Sequence, residues 1–205
     1  MKIYYSPLAC SMGIHLLLEE IGQPYEAELL PLKDGAQYEP EFTVVNPKSK
    51  VPTLVRDDGS VLTEFGAIAT WLARSNPDQN LLPSEPDTEA RVREALDYCV
   101  GHIHADGYRR IFRPEKVGGE GADKVGIKAQ GKAVVENAYR VIGGSIDAGG
   151  RLLGLDYSIA DGALFYVEYW STVAGINLPP ACQAHFDRLM ARPATQAMLT
   201  AEGLM

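Results

Sequence analysis

The sequence lacks any apolar run near the ~18 residues that a membrane-spanning helix needs, which argues against a transmembrane protein. Cysteine is also scarce, since only Cys10, Cys99 and Cys182 occur and they lie far apart. An odd, scattered set argues against a disulfide framework and against a zinc site, so we expect no metal and a reducing compartment. The first residues show no secretory signal pattern, and we therefore expect a cytoplasmic protein.

Positive charge is in short supply. The chain has 19 Lys and Arg against 27 Asp and Glu, a net charge of −8. An acidic surface repels phosphate backbones and anionic lipid, so neither nucleic acid nor a membrane is an expected partner. Small anionic ligands stay possible, because a local pocket can oppose the overall sign. With 205 residues and 46% hydrophobic residues, the chain is long enough for one or two domains with a buried core.

The first ~80 residues alternate between strand-like and helix-like patterns. The predicted elements are a strand at 2–5, a helix from 11 to 21, a strand at 25–30, a hairpin at 51–55 and 60–62, and a helix at 64–73. Gly22 and Pro24 supply the stop after the first helix, and Asp57-Asp58-Gly59 is a hairpin turn signal. This βαβ-ββα order predicts a mixed sheet, with one parallel pair joined by a crossover helix.

The second part of the chain carries few strand signals. Residues 78–87 belong to a polar, proline-rich stretch that predicts a linker, so we expect domains at 1–77 and 88–205. Helical spacing follows the linker, with glycine breaks at 118–121 and 149–150 and proline breaks at 179–180 and 193. Ser158 with Asp161 three residues later resembles a capping box. The second domain is therefore expected to be all helical.

Cys10 is the sharpest chemical feature, because it follows a predicted strand and directly precedes a predicted helix. The positive end of a helix stabilises a thiolate, which would suit a nucleophile. Cys10-Ser11-Met12-Gly13 is a CxxC frame without its second cysteine, so no local thiol could resolve a mixed disulfide. The alternative is a buried cysteine that acts as a small hydrophobe.

Two further segments could bind an extended peptide. Val51-Pro52 stands at the head of a predicted strand, where a cis bond would expose the valine backbone to an added strand. An ordinary trans proline at a strand edge is the alternative. Thr63-Glu64-Phe65 starts a helix, so its amides could hold a carboxylate and Glu64 an ammonium. The alternative there is simple helix capping.

A histidine and arginine cluster follows the linker. Its members His102, His104, Arg109, Arg110 and Arg113 do not share one helical stripe, which argues against a metal site and favours a solvated face. The nearby aromatic residues are expected mostly in the core, with one or two facing a cleft. They are Tyr108, Phe112, Tyr166, Tyr169 and Trp170.

Taken together, these segments resemble the cytosolic glutathione transferases, most closely the bacterial beta class, over essentially the whole chain. The segments that carry the resemblance are residues 4–11 with Cys10, Asn46-Pro47-Lys48 followed by Val51-Pro52-Thr53-Leu54, Leu62-Thr63-Glu64 with Ala67-Ile68, Ile111-Phe112-Arg113-Pro114, and Gly154 with Ser158 and Asp161. Ser49 replaces the glycine of the family's N-P-x-G-x-V-P-x-L pattern, and Phe65 stands where the family usually has serine.

The resemblance implies a thioredoxin-like N-terminal domain, an all-helical C-terminal domain and a homodimer. It implies glutathione as co-substrate, conjugated to small, largely apolar electrophiles in a detoxification reaction. The implied catalytic residues are Cys10 and Ser11 beside the sulfur. The implied glutathione-binding residues are Lys33, Val51, Pro52, Glu64, Phe65 and His104, and the implied hydrophobic pocket contains Tyr108, Phe112 and Tyr166.

Two other functions stay open at this point. One is a glutathione-dependent thiol–disulfide reductase that uses Cys10 as its nucleophile. The other is a non-catalytic protein that binds glutathione or an apolar ligand on the transferase scaffold. Phe65, and His104 lying one residue before the position of the beta-class histidine, favour that second alternative.

Overall fold

The computed structural model describes residues 1–205 and confirms an α/β first part followed by helices. The strands are β1 (Lys2–Tyr5), β2 (Glu26–Leu29), β3 (Thr53–Val55) and β4 (Val61–Thr63). The helices are α1 (Ser11–Ile21), α2 (Pro40–Thr43), α3 (Phe65–Ser75), α4 (Pro86–Asp97), α5 (Arg109–Phe112), α6 (Glu115–Gly118), α7 (Lys124–Gly143), α8 (Ile159–Ala174), α9 (Pro180–Met190) and α10 (Pro193–Ala201). Short 3₁₀ turns occupy Leu32–Asp34, Ala36–Tyr38 and Pro77–Gln79, and a π-helical segment, Tyr98–Tyr108, joins α4 to α5.

The four strands form one mixed sheet in the order β2-β1-β3-β4. The β1 and β2 strands run parallel, as the crossover through α1 requires, and β3 is antiparallel to both β1 and β4. Gly22 ends α1 in the left-handed region with φ 70°, and its N–H bonds the Leu18 carbonyl at 3.0 Å. The predicted hairpin is also present, with Gly59 at φ 80° in its turn.

The chain divides into two compact units, residues 1–82 with 190–205 and residues 83–189. The sequence had put residues 190–205 with the second domain, whereas in the structure the last helix, α10, packs against α1. The buried His15 ring contacts the Glu202 carboxylate at 2.8 Å, and Arg192 pairs with Glu20 at 2.6 Å. Local sequence patterns do not predict contacts between residues so far apart in the chain. The domain boundaries at 77 and 88 stay a prediction.

The predicted linker is less solvated than its composition indicates. Leu81 and Leu82 are buried, and α4 already begins at Pro86. The Glu85 side chain caps that helix by accepting hydrogen bonds from the N–H groups of Asp87 and Thr88. The proline-rich stretch therefore includes buried residues and the N-cap of α4 as well as connecting residues.

The second unit is helical and is built around the buried helix α8. Ser158 caps this helix, and the capping box with Asp161 is complete, as the sequence predicted. Asp161 has a second role that the sequence did not indicate, because its other oxygen lies 3.3 Å from His185 on α9. His185 also contacts Glu168 at 2.7 Å, and all three side chains are fully buried.

This buried cluster of one histidine and two carboxylates ties α9 to α8. Burial raises the pKa of Glu168 to about 7. Burial also acts to lower the pKa of His185, but the neighbouring Glu168 and Asp161 carboxylates outweigh it and raise that pKa to about 10. The histidine is therefore a buried cation that offsets the negative charge beside it.

We expect His185→Gln to destabilise the protein by about 3–5 kcal/mol near neutral pH, since the buried carboxylates lose their cation. Folding raises the His185 pKa, so the stability that its charge contributes is complete below pH 6.5 and is lost as pH rises through about 10. The difference in unfolding free energy between wild type and variant should shrink by up to about 1.4 kcal/mol per pH unit across that window.

Urea unfolding followed by circular dichroism at several pH values measures this difference. Gln183→Ala, an exposed position on the same helix, serves as the control and should show a small difference at every pH. A His185→Gln difference that stays constant or grows with pH would contradict the charged assignment.

Candidate functional site

The sheet topology collects the candidate residues of the first unit at one end of the sheet. The β3 strand is antiparallel to both neighbours, so the start of β3 lies beside the ends of β1 and β4. Cys10 and Ser11 follow β1, Val51-Pro52 precedes β3, and Glu64 follows β4. Since Thr53 faces Thr63, continuing the register by one residue sets Glu64 opposite Pro52. Segments that are distant in sequence thus become neighbours.

Cys10 occupies the position before α1, as expected, and its thiol donates to the Val51 carbonyl at 3.4 Å. The sequence left open a thiolate nucleophile and an un-ionised cysteine, and the pKa of Cys10 favours the un-ionised thiol. Burial is the largest influence and raises the pKa of the Cys10 thiol to about 12, although the backbone N–H groups of residues 10 and 11 and the charge of Lys50 act to lower it. The helix N-terminus does favour a thiolate, but desolvation outweighs it, so Cys10 is a thiol at neutral pH.

Ser11 was expected to act beside the sulfur, and the structure uses its hydroxyl elsewhere. The side chain is fully buried. Its Oγ accepts from the Ser6 N–H at 3.1 Å and donates to the Ser6 carbonyl at 3.3 Å, which closes the turn after β1. These bonds argue against a direct contact between the Ser11 hydroxyl and a ligand. The part of Ser11 that faces the Cys10 sulfur is its backbone N–H.

The Val51–Pro52 bond is cis. The sequence left both the cis and the trans isomer open. The Val51 carbonyl accepts from Cys10, while its backbone N–H has no acceptor among the hydrogen bonds of the chain. The buried Asn46 amide braces the turn before Val51 by donating to the Lys50 carbonyl at 2.9 Å and to the Thr53 hydroxyl at 2.8 Å. Asn46 therefore has a structural role in the site. Its motif pointed to this segment, but the amide side chain itself gave no sign of that role.

Ser49 explains why the resembling family carries glycine at this position. It lies in the left-handed region with φ 54°, where a side chain costs free energy that glycine avoids. Its N–H bonds the Asn46 carbonyl at 2.9 Å, which closes the turn.

Glu64 begins α3 in a strained conformation, with φ 72°. Its carboxylate accepts from Lys48 Nζ at 2.7 Å, and that hydrogen bond is the main cause that holds the Glu64 pKa below its usual range. Lys48 also donates to the Thr63 hydroxyl at 2.9 Å. Phe65, the next residue, turns its ring into the core and is 6% exposed. An exposed lysine has no pattern of its own, so sequence reasoning did not single out Lys48.

Lys33 is exposed in the turn Leu32–Asp34. This turn follows β2, which runs parallel to β1, so it leaves the sheet at the same end as Cys10. No hydrogen bond or ion pair joins Lys33 to the other candidates, and its role stays a prediction.

The remaining candidates belong to the second unit. The half-buried His104 lies in the π-helical segment, with Nδ1 3.1 Å from the Tyr166 hydroxyl. Tyr166 is fully buried, and so is Tyr108, whose hydroxyl lies 3.0 Å from that of Tyr139. Phe112 stacks on Tyr108 and is 38% exposed. Burial argues against Tyr108 and Tyr166 as pocket walls, so the predicted hydrophobic pocket rests on Phe112 among these three.

The structure contains no group of three or more His, Cys, Asp or Glu side chains arranged to hold a metal ion. None of its helices combines the length and the apolar character that a membrane crossing requires. All three cysteines are unpaired thiols.

The mixed sheet and its crossover helix define a thioredoxin-like N-terminal domain, and comparison with known proteins agrees. The family model for the glutathione S-transferase N-terminal domain matches residues 9–75. Glutathione S-transferase GstA of Escherichia coli O157:H7 is 32% identical over 208 residues, covering 100% of both chains.

Solved structures give the same result. A sphingomonad glutathione S-transferase complexed with glutathione is 31% identical, with a TM-score of 0.85 and 100% of both chains covered. The bacterial beta class glutathione S-transferase of Sphingomonas chungbukensis is 29% identical, also with a TM-score of 0.85 and full coverage of both chains. This chain belongs to the glutathione S-transferase family, and its function is that of a glutathione transferase.

Cys10 is only partly buried, but desolvation of its thiol predicts low reactivity. The Cys10 pKa rises from 9.0 to about 12, so its thiolate fraction near neutral pH falls by about 1,000-fold. We expect the native protein to react with iodoacetamide about 1,000-fold more slowly than the urea-unfolded chain, because the thiolate is the nucleophile. Mass spectrometry of the alkylated peptides, with Cys10→Ala as the control, assigns the rates. Rapid alkylation of native Cys10 would contradict the raised pKa of its thiol.

Proposed function

We propose that this chain is a beta-class glutathione transferase that binds glutathione at the end of the sheet defined above and conjugates it, through its sulfur, to small, largely apolar electrophiles. Glutathione is the co-substrate in this proposal. The observation that carries it is the convergence of the Val51 backbone, the Glu64 carboxylate and the backbone at Cys10 and Ser11 on one sheet end.

Each part of that sheet end suits one part of a γ-glutamyl tripeptide. The open Val51 N–H can pair with an extended peptide backbone, as an added strand does. The exposed Glu64 carboxylate suits an ammonium, and the first turn of α3 offers N–H groups to a carboxylate. Lys33, on the turn after β2, is proposed to reach the glycyl carboxylate at the other end of the tripeptide.

The nucleophile in this proposal is the sulfur of glutathione, because Cys10 is protonated near neutral pH. The N–H groups of residues 10 and 11 point toward the Cys10 sulfur and act to lower its pKa. A ligand sulfur placed beside them meets the same donors and the positive end of α1, which stabilise negative charge. The bound thiol then loses its proton to solvent more readily and attacks the electrophilic carbon as a thiolate. A C–S bond forms, and the leaving group departs with the electron pair of its broken bond, as chloride does from chlorodinitrobenzene.

The reductase and scaffold alternatives are not favoured. A reductase that used Cys10 would need a thiolate there, and burial opposes one. A binding-only scaffold would rest on Phe65 and on the position of His104. Phe65 departs from the family in its side chain, while its backbone still begins α3. His104 keeps a defined position beside the Tyr166 hydroxyl, and its role toward glutathione stays a prediction.

Three further features of this proposal depend on family membership. We propose a homodimer, a cytoplasmic location, and two domains, 1–77 and 88–205, connected by a linker at 78–87. The three unpaired thiols suit a reducing compartment. The beta-class assignment is supported by Cys10 before α1 and by the likeness to the Sphingomonas chungbukensis enzyme.

Replacing the carboxylate of Glu64 tests the binding site. In Glu64→Gln, the KM for glutathione should rise about tenfold or more, since a charge-assisted hydrogen bond to the ligand ammonium is lost. The kcat at saturating glutathione should change little, because the reacting sulfur is bound elsewhere. Initial rates with chlorodinitrobenzene measure both constants. The control is Glu26→Gln, an exposed glutamate on the edge strand β2. Equal KM values for the two variants would contradict the assignment, and a wild type that neither binds nor turns over glutathione would contradict the function.

Replacing the thiol of Cys10 separates conjugation from disulfide chemistry. We expect Cys10→Ala to conjugate chlorodinitrobenzene within about fivefold of the wild-type rate, because only one weak hydrogen-bond donor is removed. Rates of conjugation and of glutathione-dependent disulfide reduction are measured on the same preparations. Complete loss of conjugation would show that Cys10 carries the chemistry.

A further inference from the structure

We propose that Lys48 binds the α-carboxylate of the γ-glutamyl group and so supplies a contact that Phe65 cannot make. The inference rests on the proposed function and adds a specificity-determining residue to it. Lys48, Thr63 and Glu64 form what we call the head-group cluster, located where β4 passes into α3.

The Lys48 ammonium makes two hydrogen bonds within the chain, which leaves one of its N–H donors for a ligand. Its ammonium carries three N–H donors. One donates to Glu64 Oε1 at 2.7 Å and one to Thr63 Oγ1 at 2.9 Å. The Lys48 side chain is 50% exposed and that of Glu64 is 64% exposed, so a third donor and a second carboxylate oxygen can reach a bound molecule.

The pairing of charges matches an amino-acid head group. The γ-glutamyl end of glutathione carries an α-ammonium and an α-carboxylate on one carbon atom. Glu64 and Lys48 present the two opposite charges in contact with each other. A zwitterion can therefore lie across the pair, with its ammonium on Glu64 and its carboxylate on Lys48, and every charge then has an opposite partner.

The replacement at residue 65 removes one side-chain donor from this part of the site. A serine at that position would add a hydroxyl donor for the α-carboxylate. Phe65 carries no such donor, and its ring is buried. The chain therefore offers the carboxylate the backbone of α3 and, nearby, the Lys48 ammonium.

Lys48 is also held in place before any ligand arrives. Its backbone N–H donates to Asn46 Oδ1 at 3.0 Å, and Asn46 is itself buried and bonded to Thr53. The next residue, Ser49, completes the turn in the left-handed region. A side chain that starts from an ordered turn loses less conformational entropy when it binds a ligand.

Two different roles for Lys48 make different predictions for the effect of its removal on glutathione binding. If Lys48 only competes with the ligand ammonium for Glu64, its removal strengthens glutathione binding. If Lys48 only orders the loop, its removal weakens all ligands alike. Binding measurements with altered head groups separate the three roles.

The experiment measures Kd by calorimetry for wild type, Lys48→Met and Lys48→Arg. The ligands are glutathione, γ-aminobutyryl-cysteinylglycine, which lacks the α-carboxylate, and glutaryl-cysteinylglycine, which lacks the α-ammonium. We expect Lys48→Met to weaken glutathione about tenfold and to leave the affinity for γ-aminobutyryl-cysteinylglycine nearly unchanged. Glutaryl-cysteinylglycine, which keeps the carboxylate, should lose affinity as glutathione does, and Lys48→Arg should restore most of the loss.

The matched control is Lys2→Met, because Lys2 is another lysine of the first unit that contacts a carboxylate, Glu28, at 2.8 Å. It should bind all three ligands as the wild type does. The proposal is overturned if Lys48→Met binds glutathione equally or more tightly, or weakens all three ligands by the same factor. Failure of the wild type to bind glutathione at all would instead overturn the proposed function, so the two failures are distinguishable.

Discussion

The antiparallel placement of β3 between β1 and β4 is the constraint on which the site depends. It turns the end of β1, the start of β3 and the end of β4 toward the same end of the sheet. Three short segments, each unremarkable alone, then form one surface that presents backbone donors, a carboxylate and an ammonium. Asn46 stabilises this arrangement, because its amide donates hydrogen bonds to the turn before Val51 and to the first residue of β3. The site is thus a consequence of strand order before it is a consequence of any single side chain.

Electrostatics then assigns the chemistry within that surface. At Cys10 the helix N-terminus and desolvation shift the thiol pKa in opposite directions, and desolvation prevails because removing a thiolate from water costs more free energy than the local N–H groups supply. The cluster of His185, Glu168 and Asp161 shows the reverse balance, since two carboxylates keep a buried histidine charged. In both places the local neighbours, and not the residue type, decide the charge.

Much of the fold was predictable because its elements carry local signals. Apolar spacing at Ile14, Leu17, Leu18 and Ile21 predicted α1, the Asp57-Asp58-Gly59 turn predicted the hairpin, and Ser158 with Asp161 predicted the start of α8. The predictions failed or stopped where a residue's partner is distant. Leu81 and Leu82 in a polar stretch are buried, and Ser11 turns its hydroxyl to Ser6. The segment Tyr98–Tyr108 follows helical spacing in the sequence, but its π-helical winding has no signal there.

By itself, the amino-acid sequence determined the order of strands and helices, the helix caps, the acidic charge and the motifs that resemble one family. These properties depend on residues a few positions apart, where spacing and side-chain type suffice. Only the tertiary structure decided that α10 packs on α1, that Cys10 is a thiol, and that Lys48 contacts Glu64. Each of these depends on burial or on a contact between distant segments, and the free energies of desolvation and of charge pairing are defined only once those segments have come together.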